Sequence, residues 1–121
     1  MNLWHNFIRP QPVSEPLLAL RDAPAPTAPI AGGTDLLLDL DQGRHSPATT
    51  LVDLTSITEM AKLEVRDEAL FVGAAVPLAG VARNPLARRH ARALVEACDL
   101  IGGPQVRNVA TLGGNVAHAL P

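Results

Sequence analysis

Two glycine pairs, each flanked by hydrogen-bonding side chains, are the residues in this sequence best suited to hold a ligand. The first is Ala31-Gly32-Gly33-Thr34-Asp35-Leu36, where a short apolar stretch gives way to a helical pattern. Glycines let an anion reach the peptide amides with no Cβ in the way. A helix starting there aims unpaired N–H groups and the positive end of its dipole at the same point. Thr34 adds a hydroxyl, while Asp35 is badly placed for a phosphate and is expected to cap amides or point toward a ribose. The second is Ala110-Thr111-Leu112-Gly113-Gly114-Asn115, in which Thr111 and Asn115 flank the glycines and free amides can converge on a second anion or on polar ring atoms. The first loop lacks both the G-x-G-x-x-G spacing and the Gly-Lys-Ser/Thr ending of phosphate loops, and taken alone reads as a plain structural turn. The second, taken alone, is more often a β-turn or bulge than a ligand loop. Together they suggest one diphosphate clasped from both sides, which spacing alone does not prove.

Other chemistry-bearing residues have plain readings. Arg83, Arg88, Arg89, His90 and Arg92 form a basic face around one helix, either solvated or docking an acidic partner or a nucleotide's phosphates. Cys98 is the only cysteine, so disulfides and cysteine-ligated iron–sulfur or zinc sites within this chain are excluded. It falls on an apolar stripe and reads as an inert core thiol. Arg107-Asn108 either orients the second loop or is a surface pair, and His118 is expected on an exposed loop or facing a ligand. No nucleophile elbow or Ser-His-Asp pattern supports hydrolase chemistry. His5, His45, His90 and His118 lack metal-ligand spacing.

The elements that must position the two loops follow from periodicity and breakers. Ser14 caps a helix over residues 14–21, carrying Leu17, Leu18 and Leu20. The proline-rich run 24–29 reads as a connecting loop. Ile30-Ala31 reads as a brief strand, and residues 34–42 as a helix ended by Gly43 with Leu36, Leu37 and Leu40 buried. Residues 50–54 favour strand, and 63–66 with 69–72 form a hairpin across Asp67-Glu68. Pro77 opens a short helix, and Asn84-Pro85 a longer one whose face of Ala91, Leu94, Val95, Cys98 and Ile101 is core, stopping at Gly102-Gly103-Pro104. Residues 109–116 read as a strand-like segment broken by Gly113-Gly114.

With 121 residues, 47% hydrophobic and 18% charged, the chain is a globular domain or part of one. A formal net charge of −2 and three aromatic residues, Trp4, Phe7 and Phe71, argue against a nucleic-acid partner. Neither a signal peptide nor a membrane-spanning run is legible, so a soluble cytoplasmic protein is expected, with no membrane insertion.

At the loops the sequence resembles a known family. The stretch from Ile30 through the first glycine pair to Leu37 is similar to the first flavin loop of the FAD-binding domain of molybdenum hydroxylases, among them the xanthine and carbon monoxide dehydrogenases. Ile101-Gly102-Gly103-Pro104-Gln105-Val106-Arg107-Asn108, running on to Asn115, resembles its second loop, and Leu51-Val52-Asp53-Leu54, Val72-Gly73-Ala74-Ala75 and Arg9-Pro10 fall where that family has similar segments. The resemblance covers roughly residues 7–121. It implies an α+β fold of two small α/β subdomains, an N-terminal one over residues 1–55 and a second over 56–121, incomplete at its C-terminus. It implies FAD as cofactor. Ala31, Gly32, Gly33, Thr34, Asp35 and Leu36 then wrap the diphosphate, Ala110, Thr111, Gly113, Gly114 and Asn115 hold it from the second loop, and Ile101, Gly102 and Val106 line the flavin pocket. No catalytic side chain and no metal ligand are implied, since the flavin carries the chemistry. The implied activity is that of an oxidoreductase subunit. Electrons pass from a molybdopterin-containing large subunit, through a two-iron two-sulfur small subunit, to FAD and then to NAD, oxygen or another acceptor.

The chain departs from the family pattern at Leu120-Pro121, where a Ser-Pro and a downstream Asp are usual, and the rest of the FAD domain is not represented. Two alternatives remain: a relative of the enolpyruvyl-UDP-sugar reductases, which share this FAD-domain architecture, and a truncated, cofactor-free assembly module. The clasp reading expects flavin absorbance to vanish in a Gly32→Val or Gly113→Val variant; retention of flavin unchanged by both overturns it.

Overall fold

The computed structural model describes residues 2–10, 12 and 14–119. Its N-terminal part is a parallel three-stranded sheet built from β1 (Asn6–Ile8), α1 (Ser14–Asp22), β2 (Thr27–Ile30), α2 (Leu36–Asp41) and β3 (Thr50–Asp53). The order is β1-β3-β2, so the central strand is the last in sequence, with Leu51 opposite both Phe7 and Ala28. All four residues of β3 are buried, as expected of a strand covered on both faces. Its two polar members are satisfied. Thr50 Oγ1 donates to the Pro24 carbonyl at 2.9 Å, and Asp53 accepts from the Thr55 amide (2.8 Å), the Thr55 hydroxyl (2.6 Å) and Arg9 Nε (3.0 Å).

The structure corrects two readings in this part. The run expected as a connecting loop over 24–29 already forms strand from Thr27. β2 is an edge strand, and Pro29 on it is exposed, where a missing N–H costs little. Helix α2 starts at Leu36 because Thr34 and Asp35 are spent on a turn. Its buried side narrows accordingly: Leu40 is buried and Leu36 packs against Ala28, Ile30, Ala48 and Leu51, while Leu37 and Leu38 are exposed.

The C-terminal part opens with a 3₁₀ turn (Thr58–Ala61) and the antiparallel hairpin of β4 (Leu63–Arg66) and β5 (Ala69–Val72), paired as the alternation predicts. Five short helices follow: α3 (Leu78–Arg83), α4 (Pro85–His90), α5 (Arg92–Asp99), α6 (Pro104–Val109) and α7 (Leu112–His118). The single helix expected from Asn84 onward is two. Asn84 caps α4 by accepting from the Leu86 and Ala87 amides, and Ala91 then leaves helical geometry at φ −138°, ψ 51°. The basic residues therefore spread over α3, α4 and α5 instead of one helix.

Val76, Leu78, Val81, Ala87, Val95 and Cys98 form the second core, with Leu63, Leu70 and Val72 of the hairpin packed on it. Burial, seconded by the charge of Asp99, raises the Cys98 thiol above its ordinary range, so it remains a protonated core group.

The larger correction concerns residues 109–116. Strand geometry there is limited to a single bridge between Thr111 and Pro77, after which the chain turns helical. Thr111 Oγ1 accepts from the Gly114 amide at 3.1 Å as an N-cap, and the cap wins over the β-leaning local sequence. Among the described residues no helix is long and apolar enough to cross a membrane.

At the hairpin tip Asp67 and Glu68 both hold positive φ, 46° and 64°, which the tight turn requires and a side chain resists. Glu68→Gly is expected to stabilise the protein by about 1 kcal/mol, read as a higher urea midpoint with an unchanged slope; a lower midpoint would contradict the strain.

Candidate functional site

The two glycine loops meet. The first follows the carboxyl end of β2, the usual side for ligands on parallel sheets. The second joins α6 to α7. They touch backbone to backbone: a Cβ placed on Gly32 would lie 2.2 Å from the Val109 carbonyl oxygen and 2.8 Å from Ala110 Cα. Gly33, at φ +73°, then turns the chain back toward α2 in a conformation that glycine adopts freely.

The joint floors a cleft of about 640 Å³, within the ordinary range of small-molecule and cofactor sites. All six residues of the first loop line it, as do Ile101, Gly102 and Val106, and Ala110, Thr111, Gly114 and Asn115 of the second. Gly113 does not. Its amide donates to the Ala74 carbonyl at 2.8 Å, and a Cβ there would lie 2.5 Å from Ala74 Cβ. The glycine needed at 113 thus serves packing behind the cleft, and the Gly114 amide is taken by the Thr111 cap.

The donors are consequently unequal on the two sides. Among the described residues, the amides of Gly33, Thr34, Asp35 and Leu36 have no acceptor in the protein, and neither does that of the buried Thr111. This is the donor chemistry a diphosphate takes up at a helix start. Asn115 supplies a side-chain amide from the opposite wall. The residues present therefore fit a dinucleotide diphosphate, with the free donors mainly on the first loop and the second forming the opposite wall.

Arg107, one of the residues left open by sequence, donates from Nη1 to the carbonyls of Ile101 (3.2 Å) and Gly102 (2.6 Å). It orients the turn into α6, where Gly102 sits at φ +55°. Asp35 is the N-cap of α2 yet makes no side-chain cap bond. Its carboxylate instead lies 3.9 Å from Nε2 of His118. His118 is the last residue of α7, not part of an exposed loop, and its side chain is only 29% exposed.

Sequence reasoning missed Ala28, Pro29, Asp39, His45 and Ala117 on the cleft wall. Ala117 and His118 follow Gly114 by three and four positions, the spacing of one helix face, and reading α7 as helix would have found them. His45 carries no such signal.

Gly32→Ala is expected to cost about 2–3 kcal/mol through overpacking against rigid backbone. Gly114→Ala meets only the Thr111 hydroxyl at 2.9 Å and is expected to cost roughly 1 kcal/mol, the worth of that cap. Thermal melts of the two variants check the order. Flavin loss on substituting Gly32 therefore reports the joint as much as the amides.

A family model described as the FAD binding domain in molybdopterin dehydrogenase matches residues 4–121. The nicotinate dehydrogenase FAD-subunit of Eubacterium barkeri is 34% identical over 92 residues, covering 76% of this chain and 31% of that protein. A carbon monoxide dehydrogenase structure from Hydrogenophaga pseudoflava superposes with a TM-score of 0.88 at 28% identity, covering 94% of this chain and 39% of the solved one. Quinoline 2-oxidoreductase from Pseudomonas putida 86 gives 0.87 at 30%, covering 95% and 40%. The chain thus spans about a third of the relative's length and about two fifths of the solved chains. These matches bear out the mixed α and β fold and favour the hydroxylase family over the reductase alternative.

Proposed function

The chain belongs to the family of FAD-binding domains of molybdopterin dehydrogenases, and we propose that it forms part of the flavoprotein subunit of a molybdenum-dependent hydroxylase or dehydrogenase complex in the cytoplasm. The observation that carries this reading is the row of unpaired amides at Gly33, Thr34, Asp35 and Leu36 facing one cleft shared with the second loop. In this reading those amides and the Thr34 hydroxyl grip the diphosphate. Ala31 and Gly32 set the loop against Ala110, Thr111 and Asn115 close it from the far side, and Ile101, Gly102 and Val106 wall the neighbouring pocket. Gly114 contributes through the Thr111 cap, and Gly113 by seating α7 on Ala74.

FAD supplies the redox chemistry when bound, linking two-iron two-sulfur centres to an external acceptor. The residues of this chain bind and orient. Neither a side-chain acid–base pair nor a metal cluster is required of them, and among the described residues no group of three or more His, Cys, Asp or Glu is placed to hold a metal ion. The partners in this reading are a molybdopterin-containing large subunit and a small iron–sulfur subunit. The Hydrogenophaga pseudoflava relative is itself named a medium chain. The two cores, one beneath the parallel sheet and one beneath the helices, correspond in this reading to subdomains that meet at the cleft.

The test is the identity of the flavin released from purified protein, together with an Asn115→Asp variant. FAD is expected from the wild type. The variant puts a carboxylate opposite the diphosphate without changing size, and is expected to hold FAD roughly tenfold or more weakly, about 1.4 kcal/mol, with an unchanged circular dichroism melt. FMN alone, no flavin, or unaltered affinity in the variant overturns the assignment.

A further inference from the structure

The cleft fits a dianion, yet among the described residues that line it there is no lysine or arginine. The groups on its wall that carry or can acquire charge are Asp35, Asp39, His45 and His118. Asp39 is neutralised by Arg44, whose Nε lies 2.7 Å from its Oδ1. His45 faces the Ser46 carbonyl through Nδ1 at 2.7 Å. Among the described residues Asp35 has His118 alone as an ionic partner, at 3.9 Å. A carboxylate beside a diphosphate is unfavourable unless a cation stands with it. His118 is the last residue of α7, the end of a helix dipole where an imidazolium is favoured.

Resting on the cofactor reading above, we propose that His118 supplies a cation on this wall of the cleft, so that FAD binds together with a proton. Protonated, the imidazolium offsets Asp35 and faces the diphosphate. Neutral, it leaves the carboxylate exposed to the incoming dianion. The sign follows: the cationic form binds FAD more tightly, so affinity rises as the imidazole takes up its proton. His118 acts here as a binding residue, apart from any electron transfer.

Fluorescence titration of the apoprotein with FAD at about pH 8, 6.5 and 5.5, within the range where histidine changes charge, tests this in four proteins. The wild type is expected to tighten by about tenfold toward the acid end, the worth of one well-placed charge. His118→Asn is expected to keep the affinity of the alkaline wild type at every pH, and Asp35→Asn to gain affinity at the alkaline end. His5→Asn, an exposed histidine away from the cleft, is expected to keep the wild-type slope. A wild-type slope surviving in His118→Asn, which would point to His45, overturns the proposal, as does a flat wild type that still binds FAD. Absence of FAD binding at every pH is a different result and brings down the cofactor reading itself. Should His118→Asn melt early, proton uptake per FAD bound, read by calorimetry of the wild type in two buffers of different ionisation heat, decides instead: a positive uptake near neutral pH supports the proposal and zero overturns it.

Discussion

The Val109 carbonyl oxygen occupies the space a side chain at position 32 would need, and the cleft is built on that contact. It brings the end of an edge strand of a parallel sheet against the junction of two short helices. Bare backbone meeting bare backbone sets the distance between the walls of the cleft without any side chain whose rotamer could vary. Gly113 against Ala74 repeats the device one layer back, seating α7 on the segment that follows the hairpin. Rigid supports of this kind are what a binding site needs, because a donor row is useful only if held at fixed spacing.

The chemistry of the cleft then divides by element. From the first loop come peptide amides, whose partial charges cost no side-chain entropy to order and cannot be titrated away. The second loop spends its glycine amides internally and contributes walls, the cap hydroxyl of Thr111, Asn115 and His118. A site whose positive potential comes mainly from N–H groups has little charge in reserve, so one carboxylate at Asp35 and one histidine at its edge weigh more than they would among arginines. That is the electrostatic setting in which Asp35 and His118 stand 3.9 Å apart.

Local sequence was a good guide wherever local energetics decide. The alternation of Leu63-Glu64-Val65-Arg66 and the Asp67-Glu68 tip identify the hairpin, and Ser14 and Asn84 mark helix starts, because pattern, caps and turns act within a few residues. Reading failed where sheet position, a local break or a distant contact overrules composition and periodicity. Pro29 stays in a strand because that strand is an edge. Ala91 interrupts a helix whose apolar stripe runs on without a break. The strand-like composition of residues 109–116 yields to a helix once Thr111 caps it and Ala74 receives Gly113.

By itself the sequence determined which residue types are available to a ligand, namely two glycine pairs with hydroxyl and amide side chains and a single cysteine, together with a likeness to a flavin-binding family. Only the tertiary structure decided which glycines face the cleft and which are packing contacts, which amides remain unpaired, and that Asp35 and His118 stand across from one another. The reason is physical. A glycine, a free N–H or a histidine is defined functionally by what lies within about 4 Å of it, and here the neighbours of Gly113, Gly32 and Asp35 are Ala74, Val109 and His118, far away in the chain.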